Sequence, residues 1–303
     1  MSPFVLVLIA PPGNGPHLER IAASFAAEPD VLVVGDGPRW LGAGEALELG
    51  FEAASLTAAR SMRDRVAATH AGAPVDICVV AVEHRRKRLL IADMDSTIIG
   101  QECIDEMADM LGLKEPISAI TERAMRGELA FEEALLERLA LLRGLCEVDL
   151  DRVWTERITL NPGARTLLAT MTHAGAATAL VSGGFTYFTS RVAAAAGFAQ
   201  HHANRLDMRD GKLTGRVVGP ILGRETKLAT LQRLAGELGL APQETLAVGD
   251  GANDLAMIEA AGLGVAFRAK PIVAAQAHAA IAHADLTALL YLQGYRREDF
   301  VTP

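Results

Sequence analysis

Two aspartates follow a short apolar run near residue 90. Leu89 to Ala92 predict a buried strand, and Asp93 and Asp95 come directly after it. Their i, i+2 spacing places both side chains on one face of an extended chain, and a turn would also let both face one cavity. Two adjacent carboxylates repel each other unless a cation or a shared proton offsets the charge. The residues alone leave two interpretations open: a chemical site, or an acidic N-cap formed by Asp95 or Ser96.

Two further segments could bind an oxyanion. A second apolar run, residues 176–181, stops at Ser182, Gly183 and Gly184. A hydroxyl followed by two glycines lets backbone amides approach an anion, although Ser-Gly-Gly is also ordinary turn chemistry. Lys227 comes early in a predicted helix, where a solvated surface lysine is the ordinary interpretation. Neither segment alone distinguishes a phosphate site from common surface structure.

A third predicted strand breaks into the turn Gly-Asp-Gly-Ala-Asn-Asp, whose polar members are Asp250, Asn253 and Asp254. This turn lacks the third glycine of a dinucleotide-binding motif, and an acid between two glycines would repel a pyrophosphate. A hard cation such as Mg²⁺ prefers a few carboxylates, water and a phosphate oxygen. The turn therefore favours Asp250 as a metal ligand.

In chain order the motifs are Asp-x-Asp-Ser-Thr, Ser-Gly-Gly, Lys and Gly-Asp-Gly-x-Asn-Asp. This combination resembles the haloacid-dehalogenase-type phosphohydrolases and, within them, the phosphoserine phosphatases, over about residues 85–295. The resemblance implies Mg²⁺-dependent hydrolysis of phosphoserine through an aspartyl-phosphate. One departure is Met94, where many members carry an aromatic residue, and a buried methionine fills similar space.

The resemblance also implies a role for each matching residue. Asp93 is the expected nucleophile and Asp95 the general acid and base. Asp93, the backbone carbonyl of Asp95, and Asp250 are the expected ligands of Mg²⁺. Asp254 is expected to orient Lys227 or to support the metal site. The residues expected to bind phosphate oxygens are Ser182, Gly183 through its amide, Lys227 and Asn253.

A helical insert is predicted over roughly residues 101–160, and it contains Glu102, Met125, Phe131 and Arg138. Phe131 and Arg138 share one helix face, which fits a core stripe with a snorkelling arginine as well as a binding surface. The resemblance implies a cap in which Glu102 and Arg138 bind the amino and carboxylate groups of the substrate. Met125 and Phe131 are expected to support them.

Strands and helices alternate after residue 88, which predicts an α/β fold: a doubly wound, Rossmann-like parallel sheet with ligands at the carboxyl ends of its strands. Residues 1–84 follow a βαββαβ pattern that resembles the ACT-type regulatory domains, with an α+β ferredoxin-like fold. We therefore expect a regulatory or dimerisation domain over 1–84 and a phosphatase domain over 85–303. The basic run 85–88 has the composition of a solvated junction with few crossing contacts, so the first domain is expected to be dispensable.

Composition narrows the class of protein. A net charge of −8 argues against nucleic acid or an anionic membrane as a main partner, and no run approaches the ~18 apolar residues of a membrane helix. The apolar opening segment, residues 4–10, has no preceding basic residue and predicts a strand rather than a signal peptide. Three scattered cysteines favour a reducing, cytoplasmic compartment.

Two other functions stay open at this level. The same chemistry could act on another small phosphomonoester, or transfer phosphate to an alcohol such as homoserine. A protein of a different class, a serine-binding regulator with a vestigial catalytic half, would also carry the motifs. The resemblance further implies that the N-terminal domain mediates a homodimer or binds an effector.

Overall fold

The computed structural model describes residues 1–125 and 128–302, apart from the side chain of Met125. Its N-terminal unit is an antiparallel sheet of strand order β2-β4-β1-β5, in which β3 also pairs with β4. The alternation of two βαβ segments and this order are those of a ferredoxin-like fold, as the sequence predicted. The elements are β1 (Ser2–Ile9), α1 (Gly15–Ala26), β2 (Leu32–Val33), β3 (Arg39–Gly42), β4 (Ala46–Ala53), α2 (Leu56–Thr69) and β5 (Asp76–Ala81).

The second unit is a seven-stranded sheet of order β12-β11-β10-β6-β7-β8-β9. Its strands are parallel except at one edge, where β8 and β9 form an antiparallel pair. The predicted parallel core is therefore confirmed, with an antiparallel edge that the sequence did not indicate. The elements from β6 to α8 are β6 (Leu89–Ala92), α3 (Cys103–Met110), α4 (Lys114–Met125), α5 (Phe131–Leu141), α6 (Glu147–Arg157), α7 (Ala164–His173), β7 (Ala177–Phe185) and α8 (Thr186–Ala196). The remaining elements are β8 (Gln200–Arg209), β9 (Lys212–Val218), α9 (Arg224–Glu237), β10 (Thr245–Gly249), α10 (Leu255–Ala260), β11 (Leu263–Phe267), α11 (Pro271–Gln276), β12 (Ala279–Ile281) and α12 (Ala288–Leu292).

The polar motifs singled out in the sequence meet because of this strand order. β6 lies between β10 and β7, so the carboxyl ends of the three central strands are adjacent. The insert forms α3 to α6, and it leaves the sheet just after β6. The fold therefore places the insert beside the edge at which the polar motifs emerge.

Strand β1 is buried on both faces. Leu6 and Leu8 pack into the core beneath the N-terminal helices, whereas Val5, Val7 and Ile9 join the core of the second unit. Successive side chains of a strand point to opposite faces, so this alternation packs one face of the N-terminal sheet against the core of the second unit. The expectation that few contacts cross between the units is wrong.

The basic junction is also less exposed than its composition indicated. Arg85 forms an ion pair with Glu48 at 2.8 Å and donates a hydrogen bond to the carbonyl of Leu292. Lys87 is 8% exposed and donates to the carbonyl of Gln243 at 2.6 Å. The intervening and following arginines are exposed, because side chains alternate along an extended segment. The prediction of a solvated junction is therefore wrong for Arg85 and Lys87.

The described part of the chain contains no helix long and apolar enough to cross a membrane.

Candidate active site

The segment after β6 forms a wide turn, Met94–Ile98, in which Ser96 has a φ of 55°. Asp93 and Asp95 both have extended backbone angles and line the same cavity. Met94 is fully buried between them. The Asp93 carboxylate accepts a bond from the Met94 amide at 2.8 Å, and the Asp95 carboxylate accepts one from the Cys103 amide at 2.9 Å. The structure thus places both acids in one cavity, while their amide contacts also shape the local turn.

Lys227 lies beneath Asp93 rather than at the surface. Its ammonium group is 2.8 Å from Asp93 Oδ1 and 2.5 Å from Asp254 Oδ1, and all three side chains are buried. The other oxygen of Asp254 accepts hydrogen bonds from the amides of Asp250 and Gly251. Asp254 therefore fixes Lys227 and the Gly-Asp-Gly turn at once.

Burial and neighbouring charges shift the pKa values of Asp93, Asp95 and Lys227. Loss of water raises the pKa of Asp93 well above its usual value, and the nearby Asp254 adds to the effect against the opposing Lys227. Desolvation likewise raises the pKa of Asp95, because the hydrogen bonds to its carboxylate only partly offset it. Burial alone would lower the pKa of Lys227, but its two carboxylate partners raise it instead. The raised pKa of Lys227 keeps its ammonium group charged between Asp93 and Asp254.

The Ser-Gly-Gly segment lies in an irregular end of β7, not beyond it. The pairing register with β8 shifts between Val181 and Phe185, which forms a bulge that contains Ser182. The Ser182 hydroxyl accepts a bond from the Gly184 amide at 2.8 Å and donates to Asp95 Oδ2 at 3.3 Å. A Cβ at Gly184 would lie 3.0 Å from Asp95 Oδ2, so any side chain here would crowd that carboxylate.

A side chain that the sequence analysis missed braces the bulge. Asn204 on β8 is buried, donates to the Gly183 carbonyl at 2.8 Å and accepts from the Leu222 amide at 2.7 Å. It ties β7 to the loop before α9, the helix that carries Lys227. No motif in the sequence marks this asparagine, and its residue type alone does not reveal its contacts.

The acidic residues fit a hard divalent cation. Carboxylate oxygens of Asp93, Asp250 and Asp254 all lie within 4.8 Å of one another. Asp254 has both oxygens engaged by Lys227 and backbone amides, so Asp93 and Asp250 are the better donors. Thr97 donates to Asp250 Oδ1 at 3.1 Å, and desolvation followed by the Asp254 charge raises the pKa of Asp250 to about 6. A cation would offset this accumulated negative charge.

The cap contributes a charged pair to the same cavity. Glu102, at the start of α3, accepts a bond from the Ser96 hydroxyl at 2.7 Å. Partial desolvation, followed by the like charge of Asp95, raises its pKa to about 7. Arg138 projects from α5 and donates to the carbonyl of Ala134, with burial lowering its pKa. The cavity volume is about 140 Å³, and its polar lining also includes Ser182, Asp250 and Asn253.

Phe131 is the first residue of α5 and closes the other side of the cavity. A Cβ at Gly183 would lie 3.1 Å from its ring, so the aromatic side chain packs directly on the Ser-Gly-Gly bulge. Met125 ends α4, and its side chain lies outside the described part of the structure. Its expected support of the cap stays a prediction.

A family model described as haloacid dehalogenase-like hydrolase matches residues 90–259. The chain belongs to this family. The matched region of this haloacid dehalogenase-like hydrolase contains the polar residues of the candidate site, from Asp93 to Asp254. The match thus spans the insert and the three strands whose ends carry the polar motifs.

Three similar proteins give the comparison more detail. A phosphoserine phosphatase of Streptomyces coelicolor is 45% identical over 240 residues, which cover 78% of this chain and 58% of that protein. This hydrolase therefore spans little more than half of that relative. The crystal structure of a haloacid dehalogenase family hydrolase from Salmonella enterica serovar Typhi has a TM-score of 0.84 and 32% identity, covering 96% of this chain and 98% of that one. A phospho-aspartyl intermediate analogue of phosphoserine phosphatase has a TM-score of 0.63 and 39% identity, covering 68% of this chain and 98% of that one.

Proposed function

We propose that this hydrolase converts O-phospho-L-serine to L-serine and phosphate in the last step of serine biosynthesis. The observation that carries the proposal is one cavity lined by Asp93 and Asp95 at its base and by Glu102 and Arg138 from the cap. The base suits phosphoryl transfer, and the cap pair matches the two charged groups of an amino acid. The phosphoserine phosphatase name of the Streptomyces coelicolor relative supports this substrate.

In the proposed first step, a carboxylate oxygen of Asp93 attacks phosphorus, and the bond from phosphorus to the serine oxygen breaks. Asp95, whose pKa is raised by desolvation, gives its proton to the departing serine oxygen. The products are serine and a phosphoryl group on Asp93. The phospho-aspartyl analogue of the similar phosphoserine phosphatase supports this intermediate.

In the second step, water attacks phosphorus and the bond to Asp93 breaks. Asp95 takes the proton of the attacking water, which restores both acids for the next cycle. Ser182, the Gly183 amide, Lys227 and Asn253 are proposed to bind the phosphoryl oxygens, whose charge is spread in the transition state. Asp254 positions Lys227 for this contact.

The divalent cation is proposed to be Mg²⁺. Asp93, the backbone carbonyl of Asp95 and Asp250 would hold it, and Asp254 would support the site through Lys227 and the turn. When bound, Mg²⁺ supplies positive charge that reduces the repulsion between a phosphate and the carboxylates.

The test is phosphate release from phosphoserine and a panel of other phosphomonoesters, with and without Mg²⁺. We expect a clear preference for phosphoserine, loss of activity in excess EDTA, recovery with Mg²⁺ and little recovery with Ca²⁺, which takes more ligands at longer distances. Adding homoserine and assaying phosphohomoserine separates hydrolysis from phosphate transfer. Full activity in excess chelator would contradict the metal assignment, and equal rates on all esters would contradict the substrate.

We also propose a cytoplasmic location and a homodimer formed through the N-terminal unit. The free cysteines Cys78, Cys103 and Cys146 support a reducing compartment. The ferredoxin-like fold of residues 1–81 supports an ACT-like regulatory or dimerisation role. Sedimentation of the purified chain tests the dimer.

A further inference from the structure

A second pocket lies where the N-terminal unit meets the phosphatase core, away from the catalytic cavity. Its volume is about 130 Å³. Helix α2 contributes Arg60, the junction contributes Lys87, and the segment between α11 and β12 contributes His278. The floor is apolar and includes Val79 and Leu263. Both units are therefore needed to form it.

One donor atom of Arg60 lacks a hydrogen-bond partner among the described residues. Its Nε atom is buried and forms no hydrogen bond within residues 1–125 and 128–302. Burial, followed by the neighbouring Arg63, lowers the pKa of its guanidinium. A buried donor without an acceptor costs free energy, so an acceptor supplied by a ligand would be stabilising.

Lys87 and His278 provide two further donors for a ligand in this pocket. Lys87 uses its ammonium group to contact the Gln243 carbonyl, and burial lowers its pKa to about 8, which leaves it mostly charged at neutral pH. The Gly264 amide donates to His278 Nδ1 at 2.9 Å, and burial lowers the pKa of His278 to about 4. The neutral ring must then carry its proton on Nε2, which makes that atom a donor.

The charge of the lining selects the kind of anion. Arg85 is already paired with Glu48, whereas Arg60 and Lys87 are not paired with an acid inside the pocket. Glu83 lies at the exposed mouth and contributes one negative charge. Arg60 and Lys87 thus remain for an anion, and the apolar residues of the lining suit the uncharged part of a ligand that carries one carboxylate.

We propose that this pocket between the units binds a small monoanionic carboxylate with an apolar tail. The planar guanidinium of Arg60 can donate two parallel hydrogen bonds to a carboxylate, with Lys87 and His278 as further donors. The tail would lie on Val79 and Leu263. The site is separate from the phosphoserine cavity, and it does not depend on the proposed reaction.

The experiment is a calorimetric titration of the full chain with isobutyrate and, in parallel, with isobutyramide, its uncharged counterpart. We expect saturable binding of isobutyrate and none of the amide. Arg60→Gln and Lys87→Met should each weaken isobutyrate binding by about 10- to 100-fold, the effect of one charge-assisted hydrogen bond. Arg65→Gln changes an exposed arginine on the same helix and should bind like the wild type.

Arg138→Gln separates this pocket from the catalytic cavity, because Arg138 is the cap residue suited to a carboxylate. Its isobutyrate affinity should equal that of the wild type. Absence of saturable binding to the wild-type chain would overturn the proposal. So would equal binding of the amide, wild-type affinity in both Arg60→Gln and Lys87→Met, or loss of binding in Arg138→Gln alone.

Discussion

Asp93 and Asp95 are separated by one residue but have different partners. Asp93 contacts Lys227, whereas Asp95 contacts the Cys103 amide and the Ser182 hydroxyl. Burial raises the pKa of both acids, but Asp93 is in direct contact with the Lys227 ammonium, which stabilises the ionised form that attacks. Asp95 forms its hydrogen bonds with neutral groups and is suited to carry a proton. The local contacts therefore favour a nucleophile at 93 and a proton carrier at 95.

Asp93→Asn should reduce kcat for phosphoserine by several orders of magnitude, since an amide is a poor nucleophile and a weaker metal ligand. Asp95→Asn should reduce kcat by about 10²–10⁴, the usual contribution of a positioned acid or base. Steady-state kinetics at saturating Mg²⁺ measures both. Retention of more than about a tenth of wild-type kcat by Asp93→Asn would be incompatible with covalent catalysis at this residue.

Substitution of the cap pair should alter substrate preference rather than chemistry. Arg138→Gln and Glu102→Gln should each lower kcat/KM for phosphoserine by about one to two decades, which corresponds to a charge-assisted contact of roughly 1.5–3 kcal/mol. The same variants should affect p-nitrophenyl phosphate much less, because it lacks both charged groups. Lys227→Ala and Ser182→Ala are the matched comparison. Both should lower kcat/KM by a similar factor for phosphoserine and for p-nitrophenyl phosphate. Equal losses on both substrates for Arg138→Gln would show that the cap does not bind the amino acid.

Glu102 should also give the substrate preference a pH dependence. Partial desolvation, followed by the charge of Asp95, raises its pKa to about 7, so its carboxylate becomes protonated as the pH falls through that value. Protonation removes the negative charge that pairs with the ammonium of the substrate. The ratio of kcat/KM for phosphoserine to that for p-nitrophenyl phosphate should therefore fall below pH 7. Glu102→Gln should have a flat ratio, and identical profiles for the two proteins would refute this assignment.

At the scale of elements, the bulge of β7 depends on its neighbour β8. Asn204 bonds the Gly183 carbonyl and the Leu222 amide, and thereby fixes the position of Ser182 relative to α9. Asn204→Ala should lower kcat on phosphoserine and on p-nitrophenyl phosphate by about one to two decades, because small displacements of positioning groups are costly. Gln200→Ala, on an exposed end of the same strand, is the control. Unchanged kcat in a folded Asn204→Ala protein would limit this residue to a structural role.

At the scale of the molecule, the two units share a core. Val5, Val7 and Ile9 pack into the core of the second unit, and the Asp76 carboxylate accepts hydrogen bonds from the amides of residues 282–284. Removal of the N-terminal unit would expose apolar side chains and leave these amides unpaired. The units are therefore joined by packing as well as by the chain.

A shortened chain starting near Glu83 should accordingly have a lower Tm than the full chain and a tendency to aggregate. Its active site should still form in the folded fraction, because every residue assigned a chemical role lies after the junction. Thermal denaturation, sedimentation and turnover per folded molecule measure the three effects. A Tm equal to that of the full chain would show that the shared core contributes little to stability.

Much of this description could be predicted from local patterns. The apolar runs ending at Asp93, Ser182 and Asp250 indicate a parallel sheet with polar residues at one edge, because short apolar segments and turn residues are local signals. The βαββαβ pattern before residue 84 likewise depends on local periodicity. The sequence alone therefore determined the fold class and the family resemblance, and it predicted a chemistry for the motifs.

The tertiary structure decided which side chains meet. Lys227 looked like a surface residue and is buried between Asp93 and Asp254, 134 and 27 positions away along the chain. The bracing contact of Asn204 and the burial of Lys87 had no local signal, because each depends on a partner from a distant element. The basic composition of residues 85–88 also predicted an exposed junction wrongly, because composition does not show which side chains of an extended segment are buried. Strand order and packing fix such long-range contacts, and neither is contained in the pattern of a single segment.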